Sequence, residues 1–155
     1  MKRLLTAQRF LMQHGSFHVV ERRQLKMSLF VKFASDLRQL STCKRINVGC
    51  IVIDDSYSSV LAIGYNGVPS GLDNGLCNSL TGSCGCIHAE ANAIAKLRTE
   101  RDQLIMITTL SPCALCAGLI INTKQISRVV YLEGYRDTQP ITTLKKANIN
   151  VTQIL

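Results

Sequence analysis

Residues 104–116 read LIMITTLSPCALC, an apolar run that leads directly into the start of a helix. The apolar run is predicted to be a strand, and Ser111 and Pro112 then provide a capping hydroxyl and a proline at the first helical position. The predicted helix carries Cys113 and Cys116, whose spacing of three residues places both sulfurs on one side of its first turn. This stretch therefore predicts a strand followed by a helix that presents two thiolates to one metal ion.

Apolar periodicity predicts the elements before this stretch. A helix is predicted over 24–40 from apolar residues at helical spacing, and a hairpin of two strands is predicted over 46–53 and 59–65 from β-branched runs separated by a short turn. The side of the helix that is predicted to face the core consists of Leu25, Leu29, Phe33, Leu37 and Leu40.

The rest of the chain continues the alternation. A second helix is predicted to begin near His88, after a long loop over 66–87 that is rich in Gly, Asn and Cys. Strands predicted over 128–132 and 149–154 flank a short helix around 141–147. Strands that are connected through helices indicate a sheet covered by helices, an α/β layered domain.

Composition fits one compact domain without a membrane span. The chain has 155 residues, of which 46% are hydrophobic, enough to bury a single substantial core. No apolar run approaches the roughly 20 residues needed to cross a membrane, and Met1 to Leu11 lacks the apolar centre and cleavage site of a signal peptide. The expected location is the cytoplasm, or the host cytoplasm for a viral protein.

The chain is basic, with 18 Lys and Arg against 10 Asp and Glu and a formal charge of +8. This balance favours anionic partners such as nucleotides or phosphates, although charges near the chain ends serve solubility equally well. Residues 1–23 are expected to be a basic extension without an assigned role, with a short helix broken near Gly15. Residues 24–155 are expected to form the functional domain.

His88-Ala89-Glu90 supplies the other parts of a metal site. Zinc accepts imidazole nitrogen and thiolate sulfur in tetrahedral geometry, and a catalytic site commonly has three protein ligands and one open position. His88, Cys113 and Cys116 would leave that position open, and Glu90 is then placed to transfer protons as a general acid and base. The alternative is a zinc ion that only holds two helices together.

Five segments of the chain together resemble one family. In chain order they are STCKR (41–45), VG (48–49), GYNG (64–67), HAEANAI (88–94) and SPCALC (111–116). His-x-Glu followed by Pro-Cys-x-x-Cys is the signature of zinc-dependent nucleobase deaminases. With the other segments, the chain resembles the deoxycytidylate (dCMP) deaminase family of the cytidine deaminase-like superfamily. The resemblance covers about residue 24 to the C-terminus and implies a single three-layer α/β/α domain with a central mixed sheet.

The resemblance implies hydrolysis of dCMP to dUMP and ammonia, by zinc-hydroxide attack on C4 with Glu90 as the proton shuttle. Asn66 matches an asparagine expected to hydrogen-bond the nucleoside, although Asn66-Gly67 is also a strong turn signal. Arg45 matches a basic position expected to contact the 5′-phosphate in forked geometry, the alternative being a solvated surface charge. Tyr135 matches a tyrosine near the nucleotide, with ordinary partial burial as the alternative.

Some members of this family carry a second, structural zinc, and Cys43, Cys77, Cys84 and Cys86 stand at the matching places. Four thiolates would fill the coordination of zinc and leave no position for water. Only one residue separates Cys84 from Cys86, which is tighter than the usual zinc spacing, so the alternative is that one of them is a free thiol. Cys50 lies in an apolar strand and is expected to be a buried core residue.

The resemblance also implies a homo-oligomer, a hexamer in many members, that dCTP activates and dTTP inhibits with magnesium. Lys96 and Thr99 stand where relatives carry an aromatic residue and an arginine, and this departure argues against the usual control and subunit contact. Two other hypotheses are a deaminase of a modified dCMP, a nucleoside or a tRNA base, and a zinc-stabilised binding module without catalysis. The basic extension alone favours nucleic acid, whereas Gly64 to Gly67 favours a small nucleotide.

Overall fold

The computed structural model describes residues 2–81 and 83–154, with side chains from residue 19 onward. Within that part of the chain, four α-helices and five strands follow the predicted order. They are α1 (Lys2–Leu37), β1 (Gly49–Ile53), β2 (Val60–Tyr65), α2 (Ala89–Lys96), β3 (Leu104–Leu110), α3 (Ala114–Thr123), β4 (Ile126–Glu133), α4 (Gln139–Lys146) and β5 (Asn150–Gln153). Short 3-10 helices occupy Arg38–Leu40 and Asn74–Leu76.

The five strands form one mixed sheet in the order β2-β1-β3-β4-β5. The predicted hairpin is confirmed, because β1 pairs with β2 in antiparallel orientation. Strand β1 is also antiparallel to β3, whereas β3, β4 and β5 run parallel. The parallel part therefore has helices α3 and α4 as its connections.

Helices cover both faces of the sheet, as expected for a three-layer α/β/α domain. Cys50 and Val52 of β1 point into one core, which α2, α3 and α4 close with residues such as Ala93, Ile120 and Leu144. Ile51 and Ile53 point to the opposite face, where α1 packs. The expectation that Cys50 is a core residue is confirmed, since its side chain is fully buried.

The core-facing side predicted for α1 is wrong for most of its residues. Leu25, Leu29, Phe33 and Leu40 are 60%, 58%, 39% and 54% exposed, and only Leu37 is buried. The residues that pack on the sheet are Met27, Phe30, Val31, Ala34 and Leu37. Helix α1 has apolar residues at helical spacing on two faces, so periodicity alone could not select the face that the sheet covers.

The break expected near Gly15 does not occur, because α1 runs without interruption from Lys2 to Leu37. A glycine inside a helix costs only about 1 kcal/mol relative to alanine. It is therefore a weak stop signal on its own. No helix in the described part of the chain combines the length and the apolar character needed to cross a membrane.

Two glycines allow helices to approach the sheet closely. A Cβ atom on Gly49 would lie 2.0 Å from the Ala34 carbonyl oxygen of α1, and one on Gly64 would lie 2.1 Å from the Ala89 carbonyl oxygen. Both distances are shorter than any real contact of a side chain. Because Ala89 is the first residue of α2, Gly64 lets the start of that helix lie directly on β2.

Candidate active site

The three predicted ligands of a catalytic metal meet where two helices begin. His88 is the N-cap residue of α2, and Cys113 is the N-cap residue of α3. The Nδ1 atom of His88 lies 3.4 Å from the Sγ atom of Cys113 and 3.4 Å from that of Cys116. One ligand atom from each residue falls within 4.8 Å of the other two.

These distances fit a zinc ion. Bonds of about 2.3 Å to sulfur and about 2.0 Å to nitrogen, at tetrahedral angles, place the two ligand atoms roughly 3.5 Å apart. The observed separations of 3.4 Å agree with that value. One imidazole and two thiolates are also a donor set that zinc prefers, and they leave a fourth position for water or substrate.

The electrostatics of the sulfurs suit a cation. A hydrogen bond from Cys116 and another from His88 lower the pKa of the Cys113 thiol to about 3. The same hydrogen bond to Cys113 raises the pKa of His88. The group therefore carries a negative sulfur before any metal binds, as a thiolate ligand requires.

Glu90 is a buried carboxylate beside these ligands. It lies in the first turn of α2 and is only 4% exposed. Burial raises the pKa of the Glu90 carboxyl, and an interaction with Cys116 acts in the opposite direction. Glu90 stays outside the group of three potential ligands. A buried carboxylate next to an open metal position can exchange protons with a bound molecule.

The prediction that Ser111 caps α3 and that Pro112 is its first residue is wrong. The helix begins at Ala114, and Cys113 at the N-cap makes no capping hydrogen bond with its side chain. The Ser111 hydroxyl instead accepts a hydrogen bond of 2.7 Å from the backbone N–H of Tyr135. Ser111 therefore connects the start of the cysteine helix to the segment after β4, a long-range contact that local sequence patterns do not reveal.

The four loop cysteines also meet. Their sulfur atoms lie within 4.8 Å of one another, and three of the four residues, Cys43, Cys77 and Cys84, are buried. The Sγ atoms of Cys43 and Cys84 are 3.9 Å apart, close to the roughly 3.8 Å that two sulfurs would have around a tetrahedral zinc. Cys86 belongs to the same group in spite of its tight spacing from Cys84.

The surroundings of Cys77 in this cluster favour a thiolate ligand. A backbone hydrogen bond from Lys44, 3.4 Å from nitrogen to sulfur, and a second from Ser79 lower the pKa of Cys77 to about 7. The cluster joins the segment after α1 to the long loop over 66–87. With four sulfurs and no further position, it could hold a structural zinc ion.

Arg45 and Tyr135, both predicted near the nucleotide, interact with each other. The interaction with Tyr135 raises the pKa of Arg45, and the same interaction lowers the pKa of the Tyr135 phenol. The buried Nε atom of Arg45 has no hydrogen-bond partner among the described residues. Lys44 beside it is exposed. Arg45 therefore combines a fixed position with an unused donor, which an anionic group could accept.

Asn66 is buried, and its side chain bonds three residues of the segment over 41–48. Its Oδ1 atom accepts hydrogen bonds of 2.8 Å from the Val48 N–H and from the Ser41 hydroxyl. Its Nδ2 atom donates to the Ile46 carbonyl at 2.7 Å. These contacts hold the segment that carries Arg45 against the end of β2.

Sequence reasoning missed two residues that support this segment. The Ser41 hydroxyl bonds both the side chain and the backbone carbonyl of Asn66. The Arg38 guanidinium donates to the Asn47 carbonyl at 2.9 Å and forms an ion pair of 2.7 Å with Glu133. Ser41 lies in the STCKR segment that carries the family resemblance, so the sequence offered a signal for it. Nothing in the sequence pairs Arg38 with Glu133.

A mixed sheet between helix layers, with a His-Cys-Cys group and a carboxylate at two helix starts, is the arrangement of the zinc-binding deaminases. The family model for the cytidine and deoxycytidylate deaminase zinc-binding region matches residues 24–133. A deoxycytidylate deaminase of Mycobacterium phage D29 is 35% identical over 120 residues, covering 66% of this chain and 90% of the relative. The chain belongs to the deoxycytidylate deaminase family.

Two further relatives support this assignment. A dCMP deaminase from the cyanophage S-TIM5, solved in complex with dCMP and dUMP, is 32% identical with a TM-score of 0.72, covering 83% of this chain and 96% of the other. The deoxycytidylate deaminase of Saccharomyces cerevisiae is 36% identical over 141 residues, covering 81% of this chain. The chain spans 44% of the length of that yeast protein.

Proposed function

We propose that this chain catalyses the hydrolytic deamination of dCMP to dUMP and ammonia, and that residues 24–155 form the deaminase domain. The observation that carries the proposal is the buried Glu90 carboxylate beside the group formed by His88, Cys113 and Cys116. A purely structural metal site has no use for a buried carboxylate at that position. The similarity to a structure solved with dCMP and dUMP supports the choice of substrate.

His88, Cys113 and Cys116 would hold the catalytic zinc. A zinc ion bound there supplies Lewis-acid activation, which lets water act as a nucleophile near neutral pH. Glu90 accepts a proton from the attacking water and passes it to the ring nitrogen next to C4. The second proton of the water passes to the amino group, the bond from C4 to that nitrogen breaks and ammonia leaves, while the oxygen of water remains on C4 as the carbonyl. Burial keeps Glu90 close to these atoms and away from bulk solvent.

Arg45 would bind the 5′-phosphate of the nucleotide. Its unused Nε donor lies on a guanidinium that Tyr135 holds in place. An arginine already held by a neighbouring side chain loses less conformational entropy when it contacts phosphate oxygens. Tyr135 thus acts both as a support for Arg45 and as a wall of the nucleotide site.

Asn66 would contact the sugar with the second N–H of its amide. The first N–H is used by the Ile46 carbonyl, and the amide oxygen is used by Val48 and Ser41. Asn66 would therefore both hold the segment over 41–48 in place and bind the substrate. The cluster of Cys43, Cys77, Cys84 and Cys86 would hold a second, structural zinc that fixes the loop next to Arg45.

The proposed enzyme would be a homo-oligomer, and its response to effectors is expected to be weak. The Lys96 ammonium lies 5.4 Å from the centre of the Tyr65 ring, at a position where the family resemblance implies an aromatic residue instead of lysine. An assay with dCTP or dTTP and magnesium tests this expectation. A severalfold change in the deamination rate would contradict it.

The test of the proposal is a deamination assay with dCMP, 5-methyl-dCMP, dCTP, CMP, deoxycytidine and a tRNA substrate. We expect the highest kcat/KM with dCMP and a loss of at least about 100-fold with Glu90→Gln, because general acid–base catalysis contributes about 10²- to 10⁴-fold. The exposed Glu100→Gln is the matched control. Equal activity on deoxycytidine would overturn phosphate recognition, and full activity of Glu90→Gln at unchanged zinc content would overturn the proton-transfer role.

A further inference from the structure

Helix α1 presents a second apolar face that the sheet does not cover. Leu25, Leu29 and Phe33 follow one another at intervals of four residues and are 60%, 58% and 39% exposed. Each step of four residues turns about 40° around the helix axis, so the three side chains form one line along the helix. We call these three residues the outer stripe.

The outer stripe is distinct from the face that packs on the sheet. The packing face is formed by Met27, Phe30, Val31, Ala34 and Leu37. Single exposed apolar residues are common on proteins, but a contiguous line of large ones marks an interaction surface. The outer stripe therefore requires a partner outside the fold of one chain.

We infer that the outer stripe is an interface with a second copy of this chain, packed antiparallel about Leu29. A two-fold axis through Leu29 places this residue against its own copy and Leu25 against the second copy's Phe33. The same axis places Arg22, one turn before the apolar line, against the second copy's Asp36, one turn after it. The stripe is thus complementary to itself in shape and in charge.

The charges around the stripe favour this orientation. Lys26 and Lys32 lie on opposite edges of the stripe, each about 60° from Leu29 around the helix. In an antiparallel pair, Lys26 of one copy and Lys32 of the other lie at the same level along the helices but on opposite edges, so the two ammonium groups stay apart. A parallel pair would instead place Arg22 against its own copy. Asp36 accepts a hydrogen bond of 2.7 Å from Lys32 and remains 51% exposed, so it can also receive Arg22.

An acidic protein partner fits this surface less well. The formal charge of +8 would attract it in general, but it would meet Asp36 at one end of the stripe. Like charges in contact oppose association. A second copy offers a cation there and an apolar line of the same length.

The experiment is sedimentation velocity on the zinc-loaded chain over a range of concentrations. We expect wild type to self-associate and Leu29→Glu to weaken the association at least tenfold. If wild type forms a larger oligomer, Leu29→Glu should split it into smaller oligomers that do not use this interface. Leu72→Glu, at an exposed leucine of the long loop, is the matched control and should behave as wild type. Circular dichroism and zinc content verify that each variant is folded.

Charge exchange tests the register without changing the apolar residues. Arg22→Glu alone and Asp36→Arg alone should each weaken association, and the double variant should restore it. A monomeric wild type, an unchanged Leu29→Glu variant, or a double variant that is no better than the single ones would each overturn the inference. The readout is mass and needs no deaminase activity, so it is independent of the proposed function.

Discussion

The Arg45 guanidinium interacts with the Tyr135 side chain closely enough for each to shift the pKa of the other, and this contact joins the segment after α1 to the segment after β4. Tyr135 is held in turn by its backbone N–H, which donates to Ser111 beside the cysteine helix. The proposed phosphate contact is therefore tied to the proposed metal centre through Tyr135 and Ser111. Substitutions along this connection should affect substrate binding more than the chemical step.

We predict that Arg45→Gln raises KM for dCMP by about 10- to 100-fold and changes kcat by less than about fivefold, since a charge-assisted contact to phosphate contributes roughly 1.5–3 kcal/mol. Tyr135→Phe should raise KM less, because Arg45 keeps its charge but loses its support. Steady-state kinetics with dCMP and with deoxycytidine measure both effects. Lys44→Gln, an exposed neighbour, is the control. A loss that is equal for both substrates would show that Arg45 does not contact phosphate.

The second metal site leads to a prediction about zinc content. The wild-type chain should contain two zinc ions, and Cys84→Ser should contain one, because three thiolates hold zinc more weakly than four. The variant should also be cleaved faster by a protease within residues 66–87, the loop that the cluster fixes. Elemental analysis by mass spectrometry gives the zinc count.

Cys50→Ala is the control for that experiment, because Cys50 is buried in the core and lies outside both cysteine groups. It should keep two zinc ions despite the loss of a sulfur. Wild-type protein that holds a single zinc ion under metal-replete conditions would contradict the prediction. So would a Cys84→Ser variant that keeps two.

Parts of the site could be predicted from the sequence because the chemistry of metal ligands is strict. Few residue types bind zinc, and a fixed spacing at a helix start brings Cys113 and Cys116 to one ion. The grouping of His88 with these sulfurs came from the ligand preferences of zinc, and that of the four loop cysteines came from family resemblance; both agree with the structure.

Other features could not be predicted because they depend on tertiary contacts. Helix α1 has two apolar faces, and only the position of the sheet decides that Ala34 is buried and Leu29 exposed. Ser111 satisfies the sequence pattern of a cap, yet its hydroxyl bonds Tyr135 instead. A local pattern gives the capacity of a residue for a hydrogen bond but does not select its partner.

The turn between β1 and β2 leads to a prediction about acid stability. Burial alone would raise the pKa of Asp54, but hydrogen bonds from Ser56, Ser58 and Ser59 outweigh it and lower that pKa well below its usual range. A pKa that is lower in the folded state than in the unfolded state stabilises the fold at pH values above the unfolded-state pKa, which is about 3.9 for Asp. This stabilisation is lost progressively as the pH falls from that value toward the folded-state pKa. Asp54→Asn should cost about 2 kcal/mol at pH 7, because hydrogen bonds to a charged group are lost.

Urea denaturation of wild type and Asp54→Asn at pH 7, 5 and 3 tests this. The difference in unfolding free energy should persist at pH 5 and shrink toward pH 3, and comparing two variants at each pH cancels any loss of zinc that they share. The exposed Asp55→Asn should match wild type throughout. If the difference in unfolding free energy between wild type and Asp54→Asn grew as the pH falls, the lowered pKa of Asp54 could not be its cause.

The close approach of α2 to β2 leads to the last prediction. A Cβ atom on Gly64 would lie 2.1 Å from the Ala89 carbonyl oxygen and 2.7 Å from the Ala93 nitrogen. Gly64→Ala must therefore push the start of α2 away from the sheet, and that start carries His88 and Glu90. Overpacking of this kind costs about 1–3 kcal/mol, and we expect a fall in kcat and weaker binding of the catalytic zinc.

Gly118→Ala is the matched control, since a Cβ atom at Gly118 in α3 would meet nothing within 4 Å. Replacing a glycine inside a helix by alanine should stabilise the protein by about 0.5–1 kcal/mol. The two variants thus make the same chemical change with opposite effects on the melting temperature. Weaker zinc binding in Gly64→Ala would show that Gly64 serves to position α2. Normal zinc affinity and normal kcat would contradict the prediction, because α2 would then tolerate the displacement.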